Sequence, residues 1–292
     1  MPFNKNKKYT IMNIESFKQV AKQYKVIFLD SYGVLRNYQG ILQGVNEMLQ
    51  FLKDEGITYY VLTNDASRSP KQLAEAFNSR GIPEITEHKI ISSGMIANEY
   101  LENKIKGGTV VYLGTECSAH YIESVGLNTV SISNVDLDNT EDYSALVLLD
   151  DEGFDWKTDL TKAVNLLRKR SLPVIVANSD ETYPLSKENV AIAVGGIADL
   201  LEPLSEKIFI RFGKPDSQIF NFAFEYAQRE QCITKRDILM VGDTLKTDII
   251  GGNKFGIDTC LVLSGNVLHK NAELLINSTG IIPNYICESV AT

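Results

Sequence analysis

Short apolar runs that stop at a polar residue recur along this chain, separated by stretches of helical periodicity. This alternation constrains the fold more than any other feature. "VIFLD" (26–30) is followed by "GVNEMLQFLKDEG" (44–56), where Val45, Met48, Leu49 and Leu52 fall at helical spacing. Next comes "TYYVLTN" (58–64), then "SPKQLAEAFNSRG" (69–81), with Ser69 as N-cap, Pro70 at the first helical position and Gly81 as the stop. The pattern returns late: "KIFIRFG" (207–213), a helix around 217–229, "DILMVGD" (237–243), a helix near 247–256, and "DTCLVLS" (258–264). Strands alternating with helices predict an α/β fold, a parallel sheet covered on both faces. The middle has its own units: "TVVYLG" (109–114), "SALVLLD" (144–150), a helix over 159–170 and "LPVIVAN" (172–178), with the acidic "SNVDLDNTEDY" (133–143) as a surface loop. They predict a second α/β domain at 102–206, inserted between core segments 1–101 and 207–292. Trp156 and the Phe-rich segment 220–224 read as core.

Composition narrows the function. Hydrophobic residues make up 44% of the 292, enough for a sizeable core, and the formal net charge is −8. The short "KNKK" (5–8) is the basic run, so neither nucleic acid nor an anionic membrane is the expected partner. Cys117, Cys232, Cys260 and Cys287 are far apart, with no metal-ligand spacing, and read as reduced, mostly buried thiols. The start lacks the apolar run of a signal peptide, and no stretch approaches the ~20 apolar residues of a membrane span. A cytoplasmic location is expected.

Four of the apolar runs deliver chemistry at their C-terminal ends. "VIFLD" delivers Asp30, "VLTND" the Thr63 hydroxyl, "RFGKPD" Lys214 and "MVGDTLKTD" Asp243, with Asp248 five residues on. If these strands lie parallel in one sheet, the four groups meet at one edge. Two carboxylates, a hydroxyl and an ammonium suit phosphoryl transfer. Mg²⁺ takes hard oxygen ligands, a carboxylate can attack phosphorus, and a lysine offsets the charge.

The ordered set D-x-x-G-V, a strand ending T-N, G-K-P and V-G-D-x-x-x-T-D resembles the haloacid dehalogenase superfamily of phosphatases. The likeness is to the subfamily with a large C2-type cap, and it extends to "VVYLG", "ALVLLDDEGFDW", "VANSDETYP" and "PNYICESV". The resemblance implies a Rossmann-like core with an inserted cap, and hydrolysis of small phosphorylated metabolites with Mg²⁺. It implies Asp30 as nucleophile and metal ligand, the Tyr32 carbonyl and Asp243 as further ligands, and Asp248 holding metal-bound water or bracing Lys214. Thr63 and the amides around Asn64 would cradle phosphate, and Lys214 would neutralise the intermediate. Asn178, Asp180 and Tyr183 of the cap would reach the substrate, and relatives suggest a homodimer through the cap.

Two positions depart from the family pattern. The second acid of the first motif, the general acid/base, is Tyr32 here. A phenol, with an ordinary pKa near ~10, is a poor base at neutral pH. The expected enzyme is therefore slow, with a catalytically degenerate metabolite-binding or regulatory protein as the alternative. Asp65 is the second departure, an extra acid beside the expected phosphate site.

Overall fold

The computed structural model describes residues 13–186 and 189–292, so the basic run at 5–8 lies outside the described residues. A six-stranded parallel sheet runs in the order Tyr285–Cys287, Asp258–Val262, Ile238–Gly242, Val26–Leu29, Thr58–Thr63, Ile90–Ser92. Successive side chains leave a strand on opposite faces. Ile27 and Leu29 therefore pack with Met48, Leu49 and Leu52 of the helix Val45–Asp54 and with Phe77 of the helix Pro70–Asn78. Val26 and Phe28 enter a different cluster, with Ile219, Phe220 and Ala223 of the helix Ser217–Gln228. The predicted cap forms: Ser69 accepts from the Gln72 amide, Gln72 answers to the Ser69 amide, and Pro70 opens the helix.

A second parallel sheet has five strands in the order Ile210–Arg211, Val174–Val176, Tyr143–Leu148, Thr109–Leu113, Asn128–Ser131. Its edge corrects one expectation. The run at 207–213 does not join the first sheet; Ile210–Arg211 pairs with Val174–Val176, and the Phe212 amide continues the ladder to the Val176 carbonyl at 2.8 Å. A two-residue strand carries too little pattern to announce its partner.

The sheets are not separate bodies. Val110, Tyr112, Ala145 and Val147 of the second sheet share one buried cluster with Val26, Phe28 and Tyr60 of the first. Ile96, Ala97 and Leu101 of the helix Ser93–Lys104 belong to it, and Tyr100 meets Phe212 with ring centroids 5.4 Å apart. The opposite face of the second sheet, with Val111, Leu113, Leu146 and Leu148, packs on the helices Thr158–Lys169 and Val194–Ser205. An antiparallel hairpin, Thr182–Pro184 with Val190–Ile192, follows the strand Val174–Val176.

Two smaller expectations fail. All four cysteines are free thiols, but only Cys260 and Cys287 are buried, while Cys117 and Cys232 are exposed. Trp156 is 41% exposed and so is not a core residue. Among the described residues no helix is long and apolar enough to cross a membrane.

Candidate active site

The strand register brings the predicted groups together. Leu29 pairs with Val241 on one side and Val61 on the other, so the three strands end side by side. Asp30 follows the first, Thr63 ends the second, and Asp243 follows Gly242 at the end of the third. Lys214 arrives from the other sheet by a turn at Gly213, whose φ of +113° suits glycine and where a Cβ would crowd Asn64. Gly33, at φ +74°, permits an equally close approach: a Cβ there would overlap the Asp243 carboxylate.

Lys214 is the hub. Its Nζ lies 2.6 Å from Asp30 Oδ1 and 2.7 Å from Asp248 Oδ1, with its side chain 3% exposed. Burial alone would lower its pKa, but Asp248 and Asp30 outweigh that and hold it above the usual lysine range. The Ser31 amide also donates to Asp30 Oδ1, at 2.7 Å. That oxygen is thus held by two donors, which leaves Oδ2 the freer of the two. Asp243 is fastened by the Thr244 hydroxyl at 3.0 Å and the Asn266 amide at 2.6 Å, and Asp248 Oδ2 accepts from the Thr244 amide at 3.1 Å.

Asp30, Asp243 and Asp248 each bring a carboxylate oxygen within 4.8 Å of the others. Of these three acids, Asp30 and Asp248 touch the Lys214 ammonium and Asp243 does not. Burial, then Asp30 and Asp248, push Asp243 well above the ordinary carboxylate range. Burial pushes Asp248 up to about 7 although Lys214 opposes it. An all-oxygen donor set with uncompensated negative charge fits a hard divalent cation.

Around this centre the predicted residues take definite positions. Thr63 Oγ1 accepts from the Asp65 amide at 3.2 Å, which leaves its proton to donate. Asp65 is turned aside: Oδ1 accepts from the Ser67 amide at 3.0 Å and the Ser67 hydroxyl at 2.6 Å, and Oδ2 faces Arg36 at 3.5 Å. Tyr32 is also engaged, its hydroxyl donating to the Pro184 carbonyl at 3.3 Å and accepting from the Tyr38 amide at 3.1 Å. Burial raises its pKa, so the phenolate that could act as a base is scarcer still at neutral pH.

The second sheet supplies the rim. Asp180 Oδ1 accepts from Asn64 Nδ2 at 2.9 Å, and its amide donates to Asn178 Oδ1 at 2.8 Å. Tyr183 donates to Asp151 at 3.0 Å. Sequence reasoning gave Asp150 and Asp151 no role, although they follow the strand Tyr143–Leu148 as Asp30 follows its own; the same strand-end signal would have found them. Burial, helped by Asp151 and by Asp65 of the core, pushes Asp150 up to about 6.

This geometry agrees with comparison to known proteins. A family model described as haloacid dehalogenase-like hydrolase matches residues 27–128, and a second, HAD-hydrolase-like, matches residues 211–292. The 5'-nucleotidase YutF of Bacillus subtilis is 30% identical over 246 residues, which covers 84% of this chain and 89% of that protein. The chain belongs to the haloacid dehalogenase-like hydrolases. Within them, chronophin of Mus musculus is 28% identical over 291 residues, 94% of each chain. A crystal structure of a possible sugar phosphatase of the haloacid dehalogenase superfamily from Cytophaga hutchinsonii matches with TM-score 0.92 and 55% identity, covering 96% of this chain and 99% of that one. The chain is an enzyme of the phosphatase branch of this hydrolase family, as its motifs implied, with the Rossmann-like parallel core that branch uses.

Proposed function

We propose that this hydrolase cleaves small phosphomonoesters with Mg²⁺ through an aspartyl-phosphate on Asp30, and does so slowly. The observation that carries the reading is the buried ammonium of Lys214 between Asp30 and Asp248, with Asp243 beside them. Asp30 Oδ2 attacks phosphorus while the ester oxygen leaves with the bond's electrons. Lys214 holds Asp30 Oδ1 and offsets the charge of nucleophile and phosphoryl group. The Thr63 hydroxyl and the backbone amides around Asn64 bind phosphoryl oxygens. Asp30, Asp243, Asp248 and the Tyr32 carbonyl would hold Mg²⁺, which when bound neutralises and orients the phosphate. Water then cleaves the acyl phosphate and restores Asp30.

Both steps need proton transfer, to the leaving oxygen and from the water. Tyr32 stands where the family's carboxylate would act, and its hydroxyl is occupied by Pro184 and Tyr38. General acid/base help is worth roughly 10²–10⁴ in rate, and much of it is lost here. The same feature supports the alternative of a metabolite-binding or regulatory protein that kept the site and barely turns over.

We assign residues 102–206 as the cap, between core segments 1–101 and 207–292, with its sheet borrowing Ile210–Arg211 as an edge. Asn178, Asp180 and Tyr183 lie on its substrate-facing loop. Leu185, Val190 and Ile192 of the cap hairpin are 55%, 62% and 50% exposed, which supports a homodimer through the cap. A small phosphorylated metabolite is the proposed substrate. Turnover of 4-nitrophenyl phosphate and a panel of phosphorylated metabolites should appear with Mg²⁺ and vanish with EDTA. Tight metabolite binding without turnover would favour the alternative, and metal-independent turnover would contradict the proposed site.

A further inference from the structure

We propose that Asp180 of the cap loop is a positioning residue: it orients Asn64, and Asn64 in turn fixes the backbone of Lys214. The Asn64 side chain reaches across to Lys214 twice. Its Oδ1 accepts from the Lys214 amide at 2.7 Å, and its Nδ2 donates to the Lys214 carbonyl at 2.9 Å. The same Nδ2 gives its other proton to Asp180 Oδ1 at 2.9 Å. The amide has one workable orientation. Turned over, its oxygen would face a carboxylate and a carbonyl, both acceptors, and its nitrogen would face the N–H of Lys214.

The rest of the surroundings keep Asn64 in place. It is 2% exposed, its own carbonyl accepts from Ser93 Oγ at 2.8 Å, and Gly213 leaves room for its Oδ1. Asp180 is held in turn by its amide on Asn178 Oδ1 at 2.8 Å and by its carbonyl, which accepts from the Gly195 amide at 2.9 Å. The chain of contacts therefore runs from a cap helix start through Asp180 and Asn64 to the lysine that touches Asp30 at 2.6 Å. Lys214 comes from a strand of the second sheet and must meet Asp30 at the end of the first. The Asn64 clamp is what ties these two sheets together at the reacting atoms. A buried network of this kind is worth more than its separate bonds, and removing one member leaves the others unpaired.

The account predicts a kinetic and a non-kinetic signature. Asp180→Ala and Asn64→Ala should each lower kcat at least ~10-fold with KM within about threefold, because the loss is of nucleophile alignment rather than of substrate contact. Asp180→Asn keeps an acceptor for Asn64 Nδ2 and should recover most of that loss. The Asp180→Ala/Asn64→Ala double variant should be no worse than Asn64→Ala alone, since both cut one relay. Independently of turnover, amide hydrogen exchange at Lys214 should quicken at least ~10-fold in Asp180→Ala and in Asn64→Ala, and little in Asp180→Asn. The kinetic arm rests on the phosphatase reading and the exchange arm does not, so an inactive wild type would sink that reading while leaving the relay to be judged by exchange. Should Asp180→Ala fail to fold, Asp180→Ser and Asp180→Asn are compared in its place. The proposal is overturned by unchanged Lys214 exchange in a folded variant lacking the Asp180 acceptor, by a raised KM with kcat kept, or by additive losses in the double variant.

Discussion

The Asp30 end of the first sheet and the rim supplied by the second sheet both gather acids, but they balance them differently. At the core end, Asp30 and Asp248 are paired to Lys214, and the remaining negative charge describes the place of a divalent cation. At the rim, Asp150 and Asp151 have hydroxyls and amides for partners, with no lysine or arginine in hydrogen-bonding contact among the described residues. Their charge is managed by a shift toward the protonated form. Asp243 and Asp248 at the core end are shifted toward the protonated form as well, but there a buried ammonium offsets part of the charge, whereas at the rim only a bound molecule or a proton can relieve it. The difference also shows in Tyr32. The core holds the Asp30 carboxylate and the Lys214 ammonium together, while the first-motif position where the family pattern has a second acid carries a ring tied to the hairpin.

The comparison breaks most visibly if the core loses its balance. Lys214→Ala leaves three acids around the phosphate with no ammonium, and kcat should fall at least ~10²-fold in a steady-state assay with Mg²⁺. Unchanged turnover would mean that the reacting centre lies elsewhere.

The rim responds in stability rather than in rate. The folded chain holds a proton on Asp150 up to about pH 6, while the unfolded chain has released it by about pH 4. Between those values the folded state binds more protons than the unfolded one, so stability falls as pH rises through the window and stays lower above it. Asp150→Asn keeps an acceptor for the Asp151 amide and turns an N–H donor toward the Thr115 hydroxyl oxygen, without the charge. Its Tm should exceed that of the wild type by about 2–5 °C at pH 8 and match it at pH 4 in thermal unfolding. Equal gains at both pH values would show that the Asp150 charge is not what the rim strains against.

The two regions were unequally legible in the sequence. Asp30, Thr63 and Asp243 could be placed together because buried parallel strands announce themselves as continuous apolar runs, and parallel register aligns their ends. Lys214 was found by its motif, but its strand was assigned to the wrong sheet, because Ile210–Arg211 is decided by a partner some 35 residues away, in the strand Val174–Val176. The helix Ser93–Lys104 escaped periodicity because its buried face includes Ser93 and Gly94, which carry no apolar signal; the helix joins the cluster shared by both sheets. The rim was least legible. That Tyr32 reaches Pro184, that Asp65 turns to Ser67 and Arg36, and that Asp180 holds Asn64 are products of tertiary contact between segments far apart in the chain.

The central claim is an intact nucleophile without an adequate proton shuttle, and rapid mixing with 4-nitrophenyl phosphate and Mg²⁺ tests it most directly. Nitrophenol needs little protonation to leave, so the first step should be fast and hydrolysis of the aspartyl-phosphate slow. The account predicts a burst of about one nitrophenol per active chain before a slow steady state. It also predicts a steady rate raised ~10²-fold in Tyr32→Asp and little changed in Tyr32→Phe. Product that accumulates linearly from the first turnover, with activity abolished in Tyr32→Phe and not restored in Tyr32→Asp, would contradict it and make the phenol the working acid.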